Sequence, residues 1–164
     1  METPDYNNAK QKALALLKET NTVVPPVDVD DLIMKEGLKI EKVVFGEKFN
    51  DVSGFLDIPE KAIYVNLEDS YGRQNFTKAH ELGHWVLHRT LFETHPSKQV
   101  LLRQANQNTT AVEEKEANVF AAELLIPKYL YLYTLGSCPD ADIDRLADLF
   151  QVSKQFMAYR MINI

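Results

Sequence analysis

The segment His80-Glu81-Leu82-Gly83-His84 constrains this chain more than any other feature. Phe76, Ala79, Gly83, Val86 and Leu87 recur around it at about 3.6-residue spacing, which reads as one amphipathic helix covering roughly 74–88. His80 and His84 are four residues apart, so both imidazoles fall on one side of that helix, where its apolar stripe meets a cleft. Two rings so placed both reach one Zn²⁺ at about 2.0–2.1 Å. Glu81 points to a different side, misses the ion and faces the water that the ion carries. Zinc lowers the pKa of that water to about 7, and a carboxylate beside it takes the proton as the water attacks a carbonyl. The spacing thus gives each residue type a separate job: two ligands and a general base. Gly83 leaves room for another element to approach the helix backbone.

An ion held this way needs a third protein ligand. His88 lies two turns from His80, an axial separation of about 12 Å, so its expected role is to orient a ligand or to pack. A third histidine of the metzincin kind belongs at position 90 with a glycine at 87, where the chain has Thr90 and Leu87. His95 stands in a polar stretch. The better source is Glu113-Glu114-Lys115-Glu116-Ala117-Asn118-Val119-Phe120, which opens a helix over 111–125. Its core stripe is Ala117, Phe120, Ala121, Leu124 and Leu125; Glu113 and Glu114 border that stripe and Glu116 points away from it. Asn118 follows Glu114 by one turn, where its amide can orient a ligand. Spacing favours Glu114 over Glu113 only slightly, and an acidic first turn is also what the helix dipole favours.

The remaining pattern is that of one α+β domain spanning 1–164. Helices are expected at 9–18 and 28–36, with a break at Pro25-Pro26 between them. Strands are expected at 38–45, 54–58 and 62–66, the last two forming a hairpin in a small antiparallel sheet packed against the two site helices. The helix opened by Glu113 ends at Pro127; Thr94 to Thr110 is polar and reads as a long surface loop or flap. Short helices at 143–150 and 153–162 close the same domain, and together 142–164 resembles a helix-turn-helix.

Composition bounds the setting. A formal net charge of −6 without any Lys or Arg run disfavours phosphate backbones and anionic lipids. The N-terminus lacks a basic and apolar signal segment, and no stretch approaches the ~20 apolar residues of a membrane span. Cys138 is the sole cysteine, which excludes an intramolecular disulfide and a cysteine-based zinc site. The expectation is a cytoplasmic protein that does not touch membrane, in which the sequons at Asn75 and Asn108 carry no weight.

Phe76-Thr77-Lys78-Ala79-His80-Glu81-Leu82-Gly83-His84-Trp85-Val86-Leu87-His88, followed by Glu114-Lys115-Glu116-Ala117-Asn118-Val119-Phe120-Ala121-Ala122-Glu123-Leu124-Leu125-Ile126-Pro127, resembles the ImmA/IrrE family of metallopeptidases. The likeness extends to Ser53-Gly54-Phe55 and Ile63-Tyr64-Val65-Asn66, and so runs from about Val52 to the C-terminus. The resemblance implies a gluzincin-like endopeptidase with one zinc on His80, His84 and Glu114 and with Glu81 as base. It further implies an intracellular anti-repressor. Such proteins cleave, or relieve repression by, a helix-turn-helix repressor encoded nearby in mobile elements, phages or stress responses. The chain has the length of a short form without an added sensor-like domain. A substrate strand is expected to pair with the hairpin around Gly54, Phe55 and Leu56. No residue of the sequence marks an oxyanion donor.

Two other readings compete. Leu146, Ala147, Phe150 and Val152 followed by Lys154, Gln155, Tyr159 and Arg160 suit a DNA-binding regulator, but Asp140, Asp142, Asp144 and Asp148 outnumber the basic residues there. Direct nucleic-acid binding is therefore not expected. The other is a zinc-bearing partner that sequesters a repressor without cutting it.

Overall fold

A computed structural model describes residues 3–46, 49, 51–94 and 111–164. The elements run α1 (Tyr6–Lys18), α2 (Val29–Lys35), β1 (Lys39–Val43), β2 (Gly54–Asp57), β3 (Ala62–Asn66), α3 (Tyr71–Thr94), α4 (Ala111–Leu125), α5 (Lys128–Ser137), α6 (Ile143–Phe150) and α7 (Lys154–Ile162). The α+β class is as the sequence patterning indicates. The polar stretch from Thr94 onward, including His95, lies outside the described residues apart from Thr94 itself, which closes α3.

Local chemistry starts most of these helices. Asp5 caps α1 by accepting from the Asn8 amide at 2.9 Å, and Ala9, Ala13, Leu16 and Leu17 form its buried face. Asp28, Asp142 and Ser153 cap α2, α6 and α7 in the same way. Pro127 ends α4, as expected, but also begins α5, which the sequence reading did not assign. Its extended backbone (φ −65°, ψ 143°) serves as the N-cap of α5, and its carbonyl accepts from the Tyr131 amide at 3.1 Å. Proline has no N–H to lose at a helix start, so one residue can close one helix and open the next.

The sheet differs from expectation in one respect: it is mixed, not wholly antiparallel. The strand order is β1-β3-β2. β2 and β3 form the expected antiparallel hairpin, with Phe55 opposite Tyr64, while β1 pairs with β3 in parallel, Ile40 opposite Ile63. Alternation along Lys39–Val43 marks a strand but carries no direction, and direction depends on where the chain returns. At the hairpin corner Lys61 takes a left-handed φ of 49° and Asp57 Oδ1 accepts from the Glu60 amide at 3.1 Å.

The sheet contributes Leu56, Ile63 and Val65 to one buried cluster with Ala79 and Leu82 of α3, Phe120, Ala121 and Leu124 of α4, and Leu16 and Leu17 of α1. α3 is in contact with both the hairpin and α4, and α1 covers α4. Among the described residues no helix is long and apolar enough to cross a membrane.

The C-terminal pair is fastened to this core by Arg160, which is 4% exposed. Its guanidinium donates to Glu123 Oε2 at 2.6 Å, to the Ile126 carbonyl at 3.0 Å and to the Asn163 carbonyl at 3.3 Å. It thereby consumes a backbone acceptor at the end of α4 as well as a buried carboxylate. Replacing Arg160 with Ala strands the Glu123 charge, and the expected loss is about 3–5 kcal/mol of unfolding free energy. Urea denaturation of the two proteins measures it; a loss below about 1 kcal/mol, the scale of an exposed pair, contradicts this role.

Candidate metal centre and cleft

α3 carries His80, Glu81 and His84; α4 carries Glu114, Glu116 and Asn118. The two helices meet closely at Gly83. A Cβ there would stand 3.0 Å from Phe120 Cδ1 and 3.3 Å from both Cα and O of Ala117. Gly83 is one residue from His84 and Ala117 is three from Glu114, so the closest approach lies beside the residues that converge.

His80, His84 and Glu114 each offer one atom to a group whose members all lie within 4.8 Å of one another. His80 Nε2 and His84 Nε2 are 3.0 Å apart, and Glu114 Oε2 and Oε1 stand 3.2 Å from them. Glu113, the alternative left open by spacing, is buried elsewhere and is not part of this group. Asn118 Oδ1 meets His80 Nδ1 at 3.0 Å. An amide oxygen only accepts, so Nδ1 carries the ring proton and the Nε2 lone pair points into the cluster. Two imidazoles and a carboxylate presenting lone pairs to one point suit a borderline divalent cation.

The electrostatics favour positive charge at this point. Burial disfavours protonation of His80, but the Glu114 hydrogen bond and the charges of Glu81 and Glu114 outweigh it and raise its pKa. Burial lowers His84 to about 4 despite the same carboxylate. Glu114, for its part, is opposed by burial but held well below the usual carboxylate range by the His80 and His84 rings close against it. Burial pushes Glu81 up to about 7, against the pull of His80 and of a hydrogen bond from the Leu56 amide.

That last bond ties the sheet to the site. The Asn66 amide donates to the Ser53 carbonyl at 2.8 Å, so the alternation of an antiparallel ladder turns the N–H and C=O of Gly54 and Leu56 away from β3. Leu56 turns its N–H towards Glu81 and buries its side chain in the core. Phe55 is also turned from that edge: its ring stacks on Tyr64 at 4.7 Å between centroids. Gly54 alone of the three lines the cleft, a space of about 240 Å³ bounded also by Arg73, Phe76, Thr77, His80, Glu81 and Glu114.

His88 sits off the cluster. Its Nδ1 is 3.1 Å from His84 Nδ1, and its Nε2 is 2.9 Å from Glu116 Oε2. Glu116 does lie on a different side of α4 from Glu114, as spacing indicates, but that side faces His88 and is mostly buried. Sequence reasoning also passed over Arg73 and Thr77. Both precede His80 and Glu81 on the cleft side of α3 at helical spacing, a signal that extending the wheel by two turns exposes.

Residues 36–161 match the IrrE N-terminal-like domain of peptidase family M78. The chain belongs to that family. The match begins upstream of the motifs that suggested it, starting just past α2 and taking in all of β1. As an M78 member the chain falls among metallopeptidases, and the His80, His84 and Glu114 group can hold a metal ion. No curated protein matches the chain. Among solved structures it is similar to a Mycobacterium tuberculosis transcriptional regulator, at a TM-score of 0.63 and 18% identity. That likeness covers 94% of this chain but 46% of the regulator, so the chain spans about half the regulator's length.

Gly54 provides a stability test of the seat between sheet and α3. An added Cβ would stand 2.5 Å from Thr77 Cγ2 and directly against the Tyr64 carbonyl oxygen, which as backbone cannot rotate away. Gly54→Ala is expected to cost about 1–3 kcal/mol by overpacking, read as a lower denaturant midpoint. An unchanged midpoint contradicts the close seat.

Proposed function

We propose that this M78 member is a zinc-dependent endopeptidase that hydrolyses one peptide bond in a specific protein, a helix-turn-helix transcriptional repressor. The observation that carries the reading is the position of the Glu81 carboxylate in the cleft, between the His80, His84 and Glu114 group and the outward edge of β2. His80 and His84 through Nε2, and Glu114 through its carboxylate, would hold the ion. Zinc bound there supplies polarisation of the scissile carbonyl and acidification of water.

The chain's own residues do the rest. Gly54 presents an unpaired backbone edge and no side chain, which suits a substrate strand laid alongside β2. Glu81 takes the proton of the attacking water and delivers it to the leaving amine, a general acid–base role worth about 10²–10⁴ in rate. The Leu56 amide orients the Glu81 carboxylate, and Asn118 orients His80. The repressor target is supported by the ImmA/IrrE likeness, and the similarity to a protein described as a transcriptional regulator is compatible with a regulatory setting. Direct DNA binding is disfavoured by the state of its basic residues. Lys154 pairs with Asp144 at 2.8 Å, and Arg160 is buried on Glu123.

Incubating the protein with the repressor encoded beside it, with and without a chelator, tests the reading by mass spectrometry of fragments. The expected result is one chelator-sensitive cut. Glu81→Gln should retain bound zinc and lose cleavage by at least about 10²-fold. An intact repressor bound to zinc-loaded protein would replace cleavage with sequestration.

A further inference from the structure

Of the groups around the cluster, His88 and Glu116 are the pair that the chemistry above does not use. Both are largely buried, with side-chain exposures of 6% and 17%. A histidine there for packing alone needs no carboxylate, yet Glu116 Oε2 meets His88 Nε2 at 2.9 Å. A carboxylate oxygen accepts only, so Nε2 of His88 carries the proton. The neutral ring then offers Nδ1 as an acceptor, and the group facing it, at 3.1 Å, is Nδ1 of His84. His84 therefore donates from Nδ1, and its Nε2 lone pair points at His80 and Glu114.

We propose that Glu116 and His88 form a hydrogen-bonded relay that fixes the ring and tautomer of His84, and are positioning residues for the metal that neither touches. The two ligand histidines are then set by different means. His80 leans on a neutral amide in one step, whereas His84 leans on a carboxylate in two. The far end of the relay is fixed from outside the family-matched segment: the Asp5 amide donates to Glu116 Oε1 at 2.6 Å, while the Asp5 carboxylate caps α1. The N-cap residue of α1 thus holds the carboxylate that holds His88.

The inference rests on the metal reading above, and the test separates the two. Zinc affinity is measured by competition with a chromogenic chelator, and the Co²⁺-substituted protein reports ligand geometry through its visible absorption. His88→Phe, which keeps ring volume and removes both hydrogen bonds, is expected to weaken zinc binding about 10- to 100-fold and to alter the Co²⁺ spectrum. Glu116→Ala is expected to do the same, with the double variant no weaker than His88→Phe alone. His88→Gln, whose amide can accept from His84 and donate to Glu116, should recover most of the affinity; simple loss of packing would not be repaired this way. Should His88→Phe fail to fold, Glu116→Ala and His88→Gln carry the test. Wild-type affinity and spectrum in either disrupted variant overturn the relay and leave the metal reading standing. Absence of zinc binding by the wild-type protein overturns both.

Discussion

The close contact of α3 with α4 at Gly83 and Ala117 is the constraint on which the site depends. Two histidines on one helix make at most half of a metal centre, and the carboxylate that completes the group is on another helix, 30 positions further along the chain. A side chain at position 83 large enough to part the helices would carry Glu114 away from His80 and His84, since Glu114 sits one turn from the contact. The buried faces of both helices hold this approach. Leu82 and Ala79 on one side, and Phe120, Ala121 and Leu124 on the other, belong to the same core. Packing energy spread over that core is thus what holds three polar groups together against their desolvation.

Around this contact the polar groups are satisfied in a definite order. His80 is oriented by Asn118, His84 by His88, Glu81 by the Leu56 amide, and His88 by Glu116. The His84–His88 bond is buried and the His88–Glu116 bond partly so, in a medium where a missing partner is costly, whereas the Asn118 bond to His80 is exposed. The sheet enters as a supplier of one backbone N–H and of an open edge. Because β2 lies at the margin of the β1-β3-β2 order, Gly54 remains available in the cleft while Leu56 is committed to Glu81.

Both chain ends reinforce the frame. Arg160 of α7 satisfies Glu123 and the Ile126 carbonyl just past α4, so the segment that resembles a helix-turn-helix acts here as a clamp on the Glu-bearing helix. At the other end the backbone of Asp5 grips Glu116 on the same helix. α4 is consequently held along its length: near its start by α1, at its centre by α3 and at its end by α7.

His80, Glu81 and His84 were legible because helical spacing is local: their relation needs about one turn of regular backbone and nothing else. The hairpin was legible for a similar reason, its two alternating runs being joined by a short turn. The parallel pairing of β1, the start of α5 at Pro127 and the partner of Glu116 were not. Each depends on where a distant part of the chain comes to rest. The choice among Glu113, Glu114 and Glu116 shows the limit most clearly. Successive residues turn by about 100° around a helix, so sequence establishes that these carboxylates face different ways but not what lies in each direction. Rotation of α4 about its own axis is set by the apolar surface it buries against α3 and α1. That rotation alone sends Glu114 to His80 and His84, and Glu116 to His88.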